Sequence, residues 1–316
     1  MFFMEWFPFI LTIVTEAKKM KETLKAYIDL TRAHFLPAWP LVFCSGLVLA
    51  FANYGGFSWA LILKAALIGL LGFEAGFVLN DYVDRNRDKL DVENTMTRYW
   101  RPFKERPLPS GKISSKNAFR LFILLAGITS ALIFTLPYPN SLYVFVIMLY
   151  SYGIEAFYQV KKRDQKYPVA QLLGRTDFTL FPAAGYLCYG QPDMTMLLYM
   201  VFFYPWTMAH LGLNDFIDLE NDRARGMKSI AVLYGAKGAM YWVTGFTVLH
   251  FLASIFFLRE LGTIALYGFL AGFVLLAGSN LYLWKEKSPG AGMKILPVYH
   301  GTLVIYAVSI ILDFLY

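Results

Sequence analysis

The residues best suited to chemistry in this 316-residue chain are two runs of acids. The first reads Asn80-Asp81-Tyr82-Val83-Asp84-Arg85-Asn86-Arg87-Asp88, and the second Asn214-Asp215-Phe216-Ile217-Asp218-Leu219-Glu220-Asn221-Asp222. Each closes an apolar segment of membrane-crossing length, where ionisable groups are costly unless they hold something cationic. At about 100° per residue, Asn80, Asp84 and Asp88 fall at i, i+4 and i+8 on one helix flank. Asp81 shares that sector, and Glu74 lies two turns deeper. His210, Asn214, Asp218 and Asp222 repeat the stepping. Like charges stacked this way destabilise a helix, so a counter-charge is expected. Mg²⁺ takes oxygen ligands, often one or two carboxylates together with water and phosphate. The two helix ends therefore predict Mg²⁺ held among Asn80, Asp81, Asp84, Asp88, Asn214, Asp215, Asp218 and Asp222, with the metal holding a diphosphate.

Basic residues should complete such a site. Arg32, Arg106, Lys112, Lys161, Lys162 and Lys228 are the candidates. Tyr158 and Lys162 are spaced to put ring and ammonium on one helix face. Glu74, Glu155, Arg175 and Asp177 sit near membrane depth, where ionisable side chains usually face a cavity. His34, His250 and His300 have no ligand spacing and read as structural, and Cys44 and Cys188 as packing residues.

The elements that position these groups are membrane helices. The composition is 57% hydrophobic and only 16% charged, against roughly 25% charged in soluble domains. The net charge of +7 lies in short loops between apolar runs, which argues for membrane topology rather than a nucleic-acid face. A bilayer needs ~20 apolar residues per helix. On that length the spans are 35–53, 58–80, 118–137, 141–159, 169–190, 194–214, 239–258, 261–284 and 295–315. Alternate loops carry 25 of the 29 Lys and Arg, and the intervening loops only Arg259. The bias predicts nine spans with the N-terminus cytoplasmic and the C-terminus outside. Both acidic runs then face the cytoplasm. The two Leu-Asn-Asp-aromatic-aliphatic-Asp copies suggest a parallel repeat of four helices each, plus an unpaired ninth. No loop holds a soluble domain, so residues 1–316 form one unit. Residues 1–25 are an interfacial and cytoplasmic lead segment, with Trp6, Phe7 and Phe9 at headgroup depth. Residues 81–117 form a short helix or cap over the acids.

At the two acidic runs the sequence resembles the UbiA-type intramembrane prenyltransferases. Asn80 to Asp88 matches their Asn-Asp-x-x-Asp-x-x-x-Asp motif, and Asp218 to Asp222 their Asp-x-x-x-Asp motif. Arg106-Pro107-Leu108-Pro109-Ser110-Gly111 looks like their Pro-rich loop, and Tyr158 to Lys162 like their Tyr-x-x-x-Lys motif. The likeness runs from about Ala26 to the end. It implies an all-helical ring of nine transmembrane helices around a cavity open laterally to lipid. It implies Mg²⁺-dependent transfer of a polyprenyl group from its diphosphate to a lipophilic or aromatic acceptor. Asp84, Asp88, Asp218, Asp222, Tyr158 and Lys162 become the expected catalytic residues. Asn80, Arg32, Arg106, Lys112, Lys161 and Lys228 become the expected diphosphate ligands. Residues 31–40 and 222–228 look like the menaquinone-type naphthoate enzymes. The Pro-rich loop looks more like the hydroxybenzoate and archaeal geranylgeranylglyceryl phosphate enzymes. The Asp91 to Lys104 insertion departs from all of these patterns.

The competing class is a transporter or ion-binding channel. Transporter sites usually lie near the midplane on broken helices. These acids lie at helix ends beside phosphate-suited bases, which favours the enzyme. A catalytically weak lipid-binding member of the same fold is a third reading.

Overall fold

The computed structural model describes residues 2–316, with side chains described from Thr15 onward. The expected headgroup placement of Trp6, Phe7 and Phe9 therefore lies outside the described side chains. The described chain is helical, with no strand. In order the α-helices are α1 (Phe2–Leu30), α2 (Ala38–Tyr54), α3 (Trp59–Asp84), α4 (Thr95–Trp100), α5 (Ser115–Ile133), α6 (Asn140–Lys161), α7 (Val169–Gly174), α8 (Thr176–Tyr186), α9 (Met194–Ile217), α10 (Leu219–Arg225), α11 (Ile230–Phe257), α12 (Thr263–Glu286) and α13 (Pro289–Leu315).

Local sequence sets the helix ends. Ser58 Oγ accepts from Leu61 N at 3.3 Å and starts α3, and Asp193 Oδ1 accepts from Met196 N at 2.9 Å to start α9. Ser288 followed by Pro289 starts α13, where a missing N–H costs nothing. Gly55, in a positive-φ conformation (φ 71°), ends α2.

Eight of these helices are long and apolar enough to cross a membrane among the described residues: α2, α3, α5, α6, α9, α11, α12 and α13. The ninth expected span, 169–190, is instead broken. Its two pieces meet at Arg175 (φ −83°, ψ 1°), and the longer, α8, has 11 residues, about half of what a continuous crossing needs. The break places Arg175 and Asp177 beside the interior cavities rather than in lipid.

Neighbour contacts close a circuit from α2 through α3, α5, α6, α8, α9, α11, α12 and α13 back to α2. The tightest approach is α2 against α8. A Cβ on Gly46 would sit 1.9 Å from the Pro182 carbonyl oxygen, and one on Gly185 1.8 Å from that of Phe43. Small residues let membrane helices meet backbone to backbone in this way. Buried polar links tie the second half together. Asn280 Oδ1 accepts from Thr244 Oγ1 at 2.9 Å, and Thr247 bonds the Tyr299 hydroxyl at 3.1 Å. His250 bridges the Phe202 carbonyl and the Tyr306 hydroxyl, a structural role. Such interhelical bonds contribute about 0.6 kcal/mol each. Leu63, Leu124, Val274 and Leu281 stand on the outer, lipid-suited faces.

Candidate active site

The two acid-bearing ends, those of α3 and α9, open into one cavity of about 190 Å³. Its wall includes Asn80, Asp84 and Asp88 from the first run, and Asn214, Asp215, Asp218 and Asp222 from the second. The four-residue stepping does not persist as one helix in either copy. α3 stops at Asp84 and Asp88 opens a 3₁₀ turn, while Asp218 (φ −90°, ψ 14°) breaks the second run between α9 and α10. All seven nonetheless face the same space.

Each acid has identifiable partners. Asp84 pairs with Lys162 at 3.3 Å and Arg163 at 3.0 Å. Asp88 pairs with Arg106 at 2.6 Å and Arg225 at 3.8 Å. Arg225 also reaches Asp218 at 3.1 Å and Asp222 at 3.9 Å, and pairs with Asp91. Asp215 accepts from the Ile230 amide at 2.9 Å and so fixes the start of α11. Asn221 sits between insertion and second run: its Oδ1 accepts from the Val92 and Glu93 amides at 2.9 and 3.0 Å, and its Nδ2 donates to Asp218 at 2.8 Å. Burial, with the neighbouring Asp215 and Asp218 carboxylates, pushes Asp222 up to about 7. Burial also raises Asp88 despite Arg106 and Arg225. Desolvation opposes the charged form of Arg106, but Asp88 and Asp91 hold it above its ordinary value.

Other expected residues meet the cavity differently. Tyr158 and Lys162 do share a face, the ammonium lying 4.7 Å from the ring centroid. Arg32 and Arg106 both line the cavity. Asp81 does not. It accepts from Arg32 at 2.9 Å and Arg101 at 2.6 Å, so its carboxylate is engaged by two guanidinium groups and turned from the cavity. Lys112 points away, pairing with Glu105 and, at 3.6 Å, Glu22. Lys228 has an exposed side chain and enters only through its backbone, which bonds Lys162 O at 2.6 Å. Lys161 does not line the cavity either, because its neighbour Lys162 takes the inward direction at the α6 end. Three of the expected phosphate ligands thus do not line this cavity.

Arg101, Arg225, Trp100 and His300 line the cavity without having been expected to. Arg225 could have been found from its i+3 spacing to Asp222. Arg101 and Trp100 lie in the insertion and carried no signal of direction. A second, more apolar cavity of about 160 Å³ continues from Phe73, Phe77 and Phe178 toward Ile68, Ile133, Ile147 and Met148. Glu155 stands at the junction, accepting from Asn80 at 2.6 Å and Gln159 at 2.6 Å.

The donor chemistry fits a hard cation. Every candidate ligand is an oxygen, and the buried Asn214 Oδ1 has no hydrogen-bond partner among the described residues. Among the described residues no three acids converge on one point. A guanidinium, that of Arg225, stands between them.

The model of the UbiA prenyltransferase family matches residues 38–310. The chain belongs to the UbiA prenyltransferase family. It is accordingly a transferase and a multi-pass membrane protein. It is 29% identical over 264 residues to a 4-hydroxybenzoate octaprenyltransferase of Tolumonas auensis, covering 83% of each chain. Two solved structures share the fold. A UbiA homologue from Aeropyrum pernix superposes with a TM-score of 0.72 at 19% identity, over 89% of this chain and 98% of that one. A UbiA homologue from Archaeoglobus fulgidus, bound to DMAPP and Mg²⁺, gives 0.63 at 16%, over 90% and 99%.

Proposed function

We propose that this UbiA-family chain transfers a polyprenyl group from an allylic polyprenyl diphosphate to an aromatic quinone precursor, releasing diphosphate. The observation that carries this reading is the meeting of two acid-bearing helix ends, ringed by guanidinium and ammonium groups, above an aromatic-walled cavity. The Tolumonas relative, named for prenylation of 4-hydroxybenzoate, and the Archaeoglobus neighbour with bound Mg²⁺ support it. Asp84, Asp88, Asp218 and Asp222, with Asn80 and Asn214, would hold Mg²⁺. Bound there, Mg²⁺ neutralises the diphosphate and improves it as a leaving group. Arg32, Arg106, Lys162 and Arg225 are the charged groups placed to meet phosphate oxygens. The faces of Tyr158, Phe77 and Phe178 suit a developing allylic cation. The apolar second cavity takes the tail, and exclusion of water protects the cation until the acceptor attacks.

In this reading the whole chain is one unit with residues 81–117 as its cytoplasmic cap. The α7–α8 pair completes a ninth crossing, the helices divide into two parallel four-helix repeats plus α13, and the N- and C-termini lie on opposite sides, the N-terminus cytoplasmic. Purified protein with geranylgeranyl diphosphate, Mg²⁺ and a panel of acceptors, followed by mass spectrometry, tests it. Pyrophosphate release with a prenylated aromatic product is the expected result. Prenylation of a glycerol phosphate alone would move the assignment to ether lipids. Flux across liposomes without chemistry would sink the enzyme reading.

A further inference from the structure

Beneath the acids the insertion builds a contact that the diphosphate chemistry does not use. Its helix α4 ends with Tyr99 and Trp100. The Tyr99 hydroxyl lies 2.6 Å from His300 Nδ1, and His300 Nε2 lies 2.9 Å from His210 Nε2. Three residues from α4, α13 and α9 therefore form one hydrogen-bonded row. His210 stacks on Trp206 with ring centroids 5.3 Å apart and planes 6° apart, which fixes its orientation. Trp100 closes the other side, its ring 5.1 Å from that of His300. His210 is 6% exposed, and both histidines line the same cavity as the acids. His210 lies two helical turns before Asp218, or about 12 Å deeper along α9. That sets the row deeper in the cavity than Asp218, beside the Trp100 ring over which the Arg32 guanidinium lies at 5.6 Å.

An Nε2-to-Nε2 contact holds one proton, because a second would set N–H against N–H. Among the described residues Nδ1 of His210 has no hydrogen-bond partner, its Nε2 alone being bonded. In one tautomer pair His210 Nε2–H donates to His300 Nε2, and His300 Nδ1–H donates to the Tyr99 oxygen. Nδ1 of His210 then carries a free lone pair on a ring that lines the cavity. We propose that His210 is the catalytic base that removes the acceptor's proton, with His300 and Tyr99 as positioning residues that spread the resulting charge.

The step balances without a further reactant, and it rests on the prenyl-transfer reading above. The donor C1–O bond breaks with its electron pair going to diphosphate. A ring carbon of the acceptor bonds to C1. The C–H pair at that carbon restores aromaticity while His210 Nδ1 takes the proton. As it does, the Nε2 proton shifts toward His300, whose Nδ1–H remains bonded to the Tyr99 oxygen. General-base groups contribute typically ~10²–10⁴-fold to rate.

The test uses purified full-length protein with geranylgeranyl diphosphate, Mg²⁺ and 4-hydroxybenzoate, either protiated or ring-deuterated. In His210→Gln, prenylated product should fall at least about 100-fold. A primary deuterium isotope effect absent from the wild type should appear, and prenyl alcohol should accumulate relative to product. Tyr99→Phe should show the same isotope effect with a smaller loss of rate. Binding of an unreactive prenyl thiodiphosphate with Mg²⁺ should be retained in both, which separates lost chemistry from lost folding. A wild-type rate with no isotope effect in His210→Gln overturns the proposal. So does a loss of rate accompanied by loss of analogue binding. Wild-type protein that releases no pyrophosphate overturns the prenyl-transfer reading itself, and the base falls with it.

Discussion

The two acidic runs are near copies in sequence, yet they are neutralised differently. At the end of α3 each carboxylate pairs with at least one cation that forms no ion pair with the second run. Asp81 has Arg32 and Arg101, Asp84 has Lys162 and Arg163, and Asp88 has Arg106. At the end of α9, Asp218 and Asp222 share the single guanidinium of Arg225, which Asp88 and Asp91 also use. The Asn214 side-chain Oδ1 there has no hydrogen-bond partner among the described residues, and Asp222 is raised to about 7. The difference teaches that a motif specifies donors but not their charge balance. The first copy is an anchored wall, and the second is short of positive charge. An added cation gains most at the second.

The largest effect expected is on turnover. Asp84→Ala and Asp218→Ala should each lower product formation by about 1000-fold, since the proposed reaction sets both beside the diphosphate. The two should part in Mg²⁺ titration. Asp218→Ala should lose more of the Mg²⁺-dependent thermal stabilisation than Asp84→Ala, and equal losses would erase the distinction drawn between the copies.

Arg225→Ala comes next. Removing one cation from four buried or half-buried acids should destabilise the fold by about 3–5 kcal/mol. The thermal midpoint in detergent should fall, and Mg²⁺ should restore more of it than it adds to the wild type. A midpoint indifferent to Mg²⁺ would mean that these acids do not take the ion.

Asn221→Ala should have a smaller effect. It strips partners from the Val92 and Glu93 amides and from Asp218, at about 2 kcal/mol for groups left unsatisfied. Limited proteolysis should then cut within residues 91–104 sooner. Smallest of all, Lys112→Ala and Lys228→Ala should leave product formation within about twofold of the wild type, because exposed charges contribute little. A large loss in either would return those lysines to the site.

The outcome for the lysines shows where reading the chain stops. Basic residues on the expected side of a membrane were countable, but side-chain direction at a helix end was not. Lys161 and Lys162 are adjacent, and only Lys162 turns inward. The insertion was legible as a departure from the resembling family and nothing more. Its Trp100 and Arg101 line the cavity because three distant elements hold it, through Asn221, through His300, and through Asp29 of α1, which accepts from the Phe103 amide at 2.6 Å. The span at 169–190 was apolar enough to read as continuous. It breaks at Arg175, next to Asp177, where a cavity in the folded protein accepts charges that lipid would not.

What the sequence determined by itself was local or compositional. Apolar length set the long helices, and four-residue spacing put Asn80 and Asp84 on one flank of α3 and His210 and Asn214 on one flank of α9. The charges in alternate loops predicted that both runs end on one side. These follow from the 3.6-residue helical turn and the cost of charge in lipid, which act within a few residues. The tertiary structure alone decided which cation meets which acid, where a span breaks, and that Tyr99, His210 and His300 share one row. Those contacts join residues up to 201 positions apart, and packing rather than spacing brings them together.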